Sequence, residues 1–218
     1  NAPRAMCVIN PLKVVIENLS VDHLEMVAAD YHHELDLGAR DMPFTREIFI
    51  DQDDFKEEYS KKFKKKFTPG KRIRLRHSYV IEATSYDKDE QGNVVLVRAN
   101  LIEGTLGTNP ADGDNPKGVV HWVSASHGIP AELRLYERLF THASPDKTDG
   151  DFMEYVNTDS LKVVTAWVEP ALANVGPENN FQFEREGYYV SDRYDHAADK
   201  PVFNLTIGLR EDKSLTEA

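Results

Sequence analysis

The chain has 218 residues, 40% of them hydrophobic and 29% charged, and its formal net charge is −11. This is the composition of a globular protein, and it excludes a low-complexity chain. The acidic total argues against a nucleic-acid partner for the surface as a whole. No apolar run approaches a membrane span and no signal or transit peptide opens the chain, so we expect no membrane partner. The single cysteine, Cys7, lies among apolar residues and is predicted to be a buried thiol, which fits the cytoplasm.

The first predicted elements are a strand over residues 5–9 and a basic helix further on. Because the sequence starts at Asn1 rather than at a methionine, and runs at once into this strand, we expect the chain to be a fragment of a longer protein. Phe55, Tyr59 and Phe63 recur every fourth residue in "DDFKEEYSKKFKKKF", which predicts a helix with the rings on one face. Residues 55–76 hold ten basic and two acidic side chains, giving +8 and leaving −19 for the rest. Such a basic patch suits a polyanion, although a merely solvated lysine-rich helix is the alternative.

Alternating apolar and polar residues predict strands along most of the remaining chain. "RIRLR" places its arginines on one strand face, and "HSYVIEATSY" with "VVLVRANLI" predicts a hairpin that turns at Gly92-Asn93. The loop at residues 107–118 is a natural boundary between a basic first part and a second part. The spacing predicts barrels or sandwiches rather than alternating β and α units. The later strand candidates are "GVVHWVSA", "AELRLYERLF", "LKVVTAWVE", "FQFEREGYYV" and "KPVFNLTIGL".

Recognisable catalytic motifs are missing from the sequence. There is no phosphate-binding glycine loop, no dinucleotide fingerprint and no nucleophile elbow. Ser124, Ser126 and His127 are neighbours in one predicted strand, which points them to alternate faces and argues against a catalytic set. The histidines show no metal-ligand spacing. We therefore predict no catalytic residue and no metal site in this chain.

The stretch "FQFEREGYYV" differs from an ordinary structural strand. Its two phenylalanines are predicted to be core residues, whereas Gln182, Glu184 and Arg185 add several directional hydrogen-bonding groups. Combined with the basic helix and with Arg74 and Arg76, these residues supply what single-stranded RNA recognition uses. Cations neutralise phosphates, guanidinium groups suit bases, and amide or carboxylate groups read base edges.

Several long stretches resemble one family. "NAPRAM" followed by "NPLKVVIEN", "KGVVHWVSASHGIPAELRLYERLF", "FQFEREGYY" and "PVFNLTIGLRE" are similar to the C-terminal part of the glutamine–tRNA ligases, and the resemblance covers nearly the whole chain. In that family this part is the anticodon-binding region, which consists of two β-barrels. The ATP-binding signatures of class I ligases, H-I-G-H and K-M-S-K, do not occur in the sequence. The chain is therefore not expected to aminoacylate tRNA by itself.

The resemblance implies an all-β fold of two antiparallel barrels with one short basic helix and a few helical turns. The proximal barrel would comprise residues 1–18 and 119–218, and the distal barrel residues 19–118. The implied partner is the anticodon loop of tRNA(Gln), not DNA. The parent ligase would carry a catalytic domain, absent from these residues, that uses ATP and Mg²⁺. No cofactor is expected in the present chain.

The resemblance also implies roles for individual residues. Arg4 matches the family arginine that contacts the middle anticodon base, and Gln182 matches the glutamine that reads this uridine. Glu184 and Arg185 match neighbours in the same pocket. Arg74 and Arg76, in the strand "RIRLR", match the two arginines that help to hold the first anticodon base.

The match is weaker in the basic segment and near the anticodon loop. Lys62 stands where bacterial relatives commonly have a glutamine that contacts the middle base, and Lys65 stands where an arginine grips the third base. Lysine offers a point charge rather than a bidentate fork. Lys64 between them is a further predicted contact. His33, in a His-His pair that replaces Pro-Asn, is another.

Other interpretations remain open at the level of sequence. The corresponding region of archaeal and eukaryotic glutamate–tRNA ligases shares the barrels, although Gln182 within "FQFERE" favours glutamine. A stand-alone β-barrel that binds ribosomal RNA is a second alternative. A structural or partner-binding sandwich with a solvated lysine helix is a third, and it would lack the steep salt dependence of RNA binding.

Overall fold

The computed structural model describes residues 2–209, and strands dominate it. Between the strands, the described residues contain short 3₁₀ turns and no α-helix. The strands, numbered in chain order, are β1 (Arg4–Ala5), β2 (Cys7–Val8), β3 (Pro11–Ile16), β4 (Leu24–Asp30), β5 (Ala39–Thr45), β6 (Glu47–Asp51), β7 (Arg72–Leu75), β8 (Val80–Lys88), β9 (Val94–Ile102), β10 (Val119–Val120), β11 (Val123–Ser124), β12 (Ile129–Tyr136), β13 (Leu161–Val168), β14 (Asn180–Phe183), β15 (Gly187–Ser191) and β16 (Val202–Gly208). The 3₁₀ turns are Gln52–Asp54, Lys61–Phe63, Pro145–Lys147, Phe152–Tyr155 and Pro170–Leu172.

Most of the strands form two seven-stranded sheets. Sheet 1 has the order β1-β14-β15-β16-β12-β13-β2, and sheet 2 has the order β10-β7-β8-β9-β3-β6-β11, while β4 and β5 pair as a separate hairpin. In each sheet the two edge strands are close in the chain, because Met6 alone separates β1 from β2 and residues 121–122 separate β10 from β11. This connection draws the edges of each sheet towards each other. The predicted all-β fold is confirmed, with one nearly closed barrel and one half-barrel.

The strand pairing is mixed rather than purely antiparallel. Most pairs are antiparallel, as predicted, but β1 with β14, β10 with β7, β12 with β16, and β3 with β9 are parallel. Parallel neighbours need long connections, since a hairpin can join only antiparallel strands. The chain meets this need by passing between the sheets. It leaves sheet 1 after β2, and it returns to sheet 1 at β12. The predicted division at residues 18 and 119 stays a prediction.

One short segment of the chain belongs to both hydrophobic cores. Ala5, Met6, Cys7 and Val8 are completely buried. Ala5 and Cys7 lie in the core of sheet 1, while Met6 and Val8 lie in the core of sheet 2. The alternation follows from the two-residue period of extended chain. The predicted buried thiol is thus confirmed, and burial raises the pKa of Cys7, which keeps the thiol unreactive.

The predicted basic helix is much shorter than its periodicity suggests. Only the single 3₁₀ turn Lys61–Phe63 forms in the basic segment, and the three spaced rings do not share a face. Phe55 is buried, whereas Tyr59 is exposed. The reason is a tertiary contact: Phe55 packs edge-on against Phe67, with ring centroids 6.2 Å apart. A helix would separate these two residues by about 18 Å along its axis, so the contact requires a loop.

No helix within residues 2–209 is long enough and apolar enough to cross a membrane.

Gly118 allows the basic segment to lie against sheet 2. A Cβ atom at this position would overlap the carbonyl oxygen of Lys65 and stand 2.8 Å from Cδ1 of Ile73. We expect Gly118→Ala to lower the free energy of unfolding by about 1–3 kcal/mol, because the backbone must shift. Urea unfolding measures this change. Gly176→Ala is the control, because its Cβ would approach no atom closer than 3.4 Å; a Gly118→Ala protein as stable as this control would contradict the close approach.

Candidate nucleic-acid interface

Arg4 and Gln182 stand side by side on neighbouring parallel strands. They are register partners in the β1–β14 pair, and the backbone N–H of Gln182 donates to the carbonyl of Pro3 at 2.9 Å. Because Phe181 and Phe183 face the core of sheet 1, Gln182 faces outward. Its side-chain amide makes no hydrogen bond to another described residue. Nε of Arg4 is buried and finds no hydrogen-bond partner within residues 2–209. This pair therefore offers unused donors and acceptors on one face.

Glu184 joins sheet 1 to the end of β7 in sheet 2. Nε2 of His77 donates to its Oε1 at 2.9 Å, and Nε of Arg76 lies 2.6 Å from its Oε2. The second contact is an ion pair, because the N–H of Arg76 Nε does not point at the carboxylate oxygen. Burial raises the pKa of Glu184. The hydrogen bond from His77 and the positive charges of Arg76 and His77 lower it by a larger amount, so the pKa lies below its ordinary value. Glu184 is thus an ionised, occupied carboxylate.

Arg185 forms a two-point contact with a buried aspartate of the other sheet. Its guanidinium donates to the two carboxylate oxygens of Asp54 at 2.5 and 2.7 Å. Asp54, at the end of the 3₁₀ turn that follows β6, has a side chain only 2% exposed and also pairs with Lys66 at 3.3 Å. Burial raises the pKa of Asp54, but the hydrogen bond and the charge of Arg185, together with other positive neighbours such as Lys66, lower the pKa by more, so it lies below its usual value. Arg185 itself has φ of +71°, a left-handed conformation that is uncommon outside glycine.

A group of possible metal ligands lies beside this pair. Ligand atoms of Asp51, His121 and Glu186 are all within 4.8 Å of one another. However, Arg185 contacts Nδ1 of His121 at 3.0 Å, and a guanidinium has only donors, so Nδ1 accepts. The other ring nitrogen, Nε2, faces Glu186 at 3.7 Å. Both ring nitrogens thus already face protein groups, and we propose no metal at this position.

Arg74 is separated from these residues by its own contacts. Its guanidinium donates to the carbonyls of Ser78 at 3.1 Å and Thr105 at 3.0 Å, to Oδ1 of Asn109 at 3.2 Å, and also to the carbonyl of Thr108. Burial lowers its pKa. The alternation of "RIRLR" does put Arg74 and Arg76 on one face, but the loop after β9 takes up Arg74.

The lysines of the basic segment remain available to solvent. Lys62, Lys64 and Lys65 are exposed, and none of them forms a salt bridge with another residue in the described part of the chain. Nζ of Lys62 lies 5.6 Å from the centroid of the Phe63 ring. The segment is anchored next to the Arg185 contact, because Lys66 pairs with Asp54. It is therefore a cationic surface close to the turn between β14 and β15.

His33 lies at the tip of the β4–β5 hairpin, near Arg4. It stacks on His32 with ring centroids 4.9 Å apart and pairs with Glu34 at 3.4 Å. The hairpin approaches β1 because the N–H of Arg4 donates to the carbonyl of Tyr31 at 2.7 Å. The pKa of His32 is lowered, mainly by partial burial and to a smaller extent by the neighbouring His33 and Arg4.

Most of the predicted contact residues thus surround one turn, residues 184–186. Arg4 and Gln182 are adjacent, Arg76 meets Glu184, and the lysines reach Arg185 through Lys66 and Asp54. His33 lies on the neighbouring hairpin, and Arg74 faces a separate loop.

Sequence reasoning missed His77 and the pairing of Asp54. Asp54 had a signal, since it is a carboxylate beside a strongly basic stretch. It does not cap its own 3₁₀ turn, because the cap is Asp51, which accepts from the N–H of Asp53. The roles of the predicted residues in RNA contact stay predictions.

Comparison with known proteins agrees with this architecture. Two family models, both described as "tRNA synthetases class I (E and Q), anti-codon binding domain", match residues 2–102 and 119–192. The chain therefore belongs to this family of synthetase anticodon-binding domains, and the resemblance drawn from the sequence is confirmed.

The similar curated proteins are glutamine–tRNA ligases. The ligase of Vibrio parahaemolyticus is 49% identical over 212 residues, that of Photobacterium profundum 48% over 211, and that of Pseudoalteromonas atlantica 50% over 216. Each alignment covers 97% of this chain but 38% of the relative. The chain therefore spans less than half the length of the ligases that it matches.

The two carboxylates of the cross-sheet contacts predict acid sensitivity. The pKa values of Asp54 and Glu184 lie below their ordinary values of 3.8 and 4.5 in the folded protein. Stability from these groups is therefore present above the ordinary values and is lost as the pH falls through the lowered ones. We expect the free energy of unfolding to fall below pH 4.5, and to fall less steeply in Asp54→Asn, by urea titrations at successive pH values. Asp53→Asn, which removes the neighbouring exposed carboxylate, should keep the parent slope; an unchanged slope in Asp54→Asn would refute the assignment.

Proposed function

We propose that this chain is the anticodon-binding part of a glutamine–tRNA ligase, and that Arg4 and Gln182 read the middle base of the anticodon. The observation that carries the proposal is the adjacency of Arg4 and Gln182, two half-buried side chains that make no hydrogen bond or ion pair to another described residue. A guanidinium carries five N–H donors, and that of Arg4 has no carboxylate partner among the described residues, so binding an acceptor on a base breaks no ion pair. Uracil presents carbonyl acceptors and an imino donor, and a glutamine amide can donate and accept at once.

The basic segment would neutralise the phosphates of the anticodon loop. Lys62, Lys64 and Lys65 have no competing carboxylate among the described residues, so binding a phosphate breaks no ion pair. The rest of the chain is strongly acidic and would repel RNA elsewhere. Arg76, whose side chain is 36% exposed while it pairs with Glu184, keeps donors for a neighbouring base.

The names of the relatives support glutamine over glutamate as the cognate amino acid. Under this proposal the partner is the anticodon loop of tRNA(Gln). The catalytic domain of the same chain, with ATP and Mg²⁺, lies in the part of the relatives that the present residues do not match. The setting would be cytoplasmic. The chain alone would bind tRNA without charging it.

Gln182→Ala tests the base assignment. We expect the variant to lose roughly 1–3 kcal/mol of discrimination between a loop with the middle uridine and a loop changed only there, as for the removal of one good base contact. The measurement is fluorescence anisotropy with labelled glutamine anticodon stem-loops. Gln91→Ala, in the exposed β8–β9 turn, is the control and should discriminate as the parent does. Equal discrimination in both variants would show that Gln182 does not read this base.

The lysine segment predicts a measurable salt dependence. We expect the combined change of Lys62, Lys64 and Lys65 to Gln to weaken binding of all loop sequences alike. The slope of log K against log salt should become shallower by about 0.7 for each phosphate that the variant no longer neutralises. Lys147→Gln, an exposed lysine on a loop of sheet 1, should leave the slope unchanged. If the triple variant keeps the parent slope, the basic segment does not contact the phosphates.

A further inference from the structure

The turn between β14 and β15 is fixed from outside its own sheet. Residues 184–186 connect two strands of sheet 1, yet their side chains contact sheet 2 and the segments attached to it. Glu184 meets His77, and Arg185 meets Asp54. These residues are distant in sequence, separated by 107 and 131 positions. The turn is therefore located by long-range electrostatic contacts as well as by its own hairpin.

The contact with Asp54 sets direction as well as distance. Two parallel N–H···O bonds between a guanidinium and a carboxylate define the plane of both groups. The carboxylate is itself immobilised, because it is buried and its 3₁₀ turn is capped by Asp51. The left-handed backbone of Arg185, at φ +71°, is a conformation that persists only where surrounding contacts compensate for it. The pair with Asp54 supplies such a contact.

The contact with His77 fixes the other side of the turn. His77 also has a left-handed backbone, with φ of +58°, which directs its ring from the end of β7 towards Glu184. Gln182 is only two residues before Glu184, on a strand whose register with Arg4 is set by backbone bonds. Any movement of the turn relative to sheet 2 would therefore displace Gln182 relative to Arg76.

We propose that Asp54 and His77 are positioning residues that set the specificity of the site by fixing where Gln182 stands. This inference rests on the proposed function. Neither residue contacts the base. Asp54 is buried, and Nε2 of His77 is hydrogen-bonded to Glu184. They act through Glu184 and Arg185, whose charged groups are taken up within the protein, so that the middle base is read by Arg4 and Gln182.

The experiment measures the ratio of dissociation constants for two stem-loops, one with the middle uridine and one changed only at that base. We expect Asp54→Asn to reduce this ratio several-fold, within the roughly 5- to 150-fold range of one base contact. His77→Asn should act in the same direction, since asparagine tolerates positive φ but is too short to replace the ring. Because His77 is partly exposed, this variant tests the proposal even if Asp54→Asn fails to fold. Asp53→Asn is the matched control and should keep the parent ratio.

The double variant with Gln182→Ala separates positioning from general loss of structure. If Asp54 acts through Gln182, adding Asp54→Asn to Gln182→Ala should reduce the ratio no further. A further reduction of the same size as in the single variant would overturn the inference, as would an unchanged ratio in both Asp54→Asn and His77→Asn. Thermal unfolding of each variant checks that the compared proteins are folded. If Gln182→Ala itself keeps the parent ratio, the proposed function fails first; if only the positioning variants keep it, the inference alone fails.

Discussion

The whole structure depends on a four-residue segment that two hydrophobic cores share. Ala5 and Cys7 pack into one core, Met6 and Val8 into the other, and none of the four is exposed. Close packing leaves no room on either side for a larger side chain. The segment also supplies edge strands β1 and β2 to sheet 1. The two sheets consequently cannot separate without exposing apolar surface on both faces of one strand, so they behave as a single packed unit at this point.

Charged contacts complete the junction that this segment begins. Glu169, which follows β13, accepts the N–H of Met6 at 2.9 Å and pairs with Arg40 of the β4–β5 hairpin, with both side chains nearly fully buried. Asp54 and Glu184 form similar contacts beside the site. Buried ion pairs add little net stability, because desolvation offsets most of the attraction, but removing one partner is costly. Their contribution is therefore to fix which side chains face each other across the junction.

Local patterns predicted what local forces decide. Alternation placed Phe181 and Phe183 in the core and left Gln182 outside, because a strand has a two-residue period. The spacing of Phe55 and Phe63 predicted a longer helix than forms, since the contact between Phe55 and Phe67 overrides helical periodicity. Nothing local indicates which of 37 acidic residues pairs with Arg185. That choice follows from how the sheets pack, and it could not be deduced before the fold was known.

The same packing explains why base-reading groups and structural groups occur in one short stretch. Gln182 lies on a strand ordered by its core phenylalanines and by the shared segment beside it, so its side chain needs no internal partner to have a defined location. Glu184 and Arg185 lie in a turn, where a strand no longer fixes direction, and each takes a partner in the other unit instead. Gln182 is held in place by its backbone, so its side chain can keep its hydrogen bonds for a ligand. Glu184 and Arg185 use their side chains to hold the turn in place, so those hydrogen bonds are not available to a ligand. On this physical ground Arg4 and Gln182 are the better candidates for contact with RNA, and the charged turn is better suited to holding them in place.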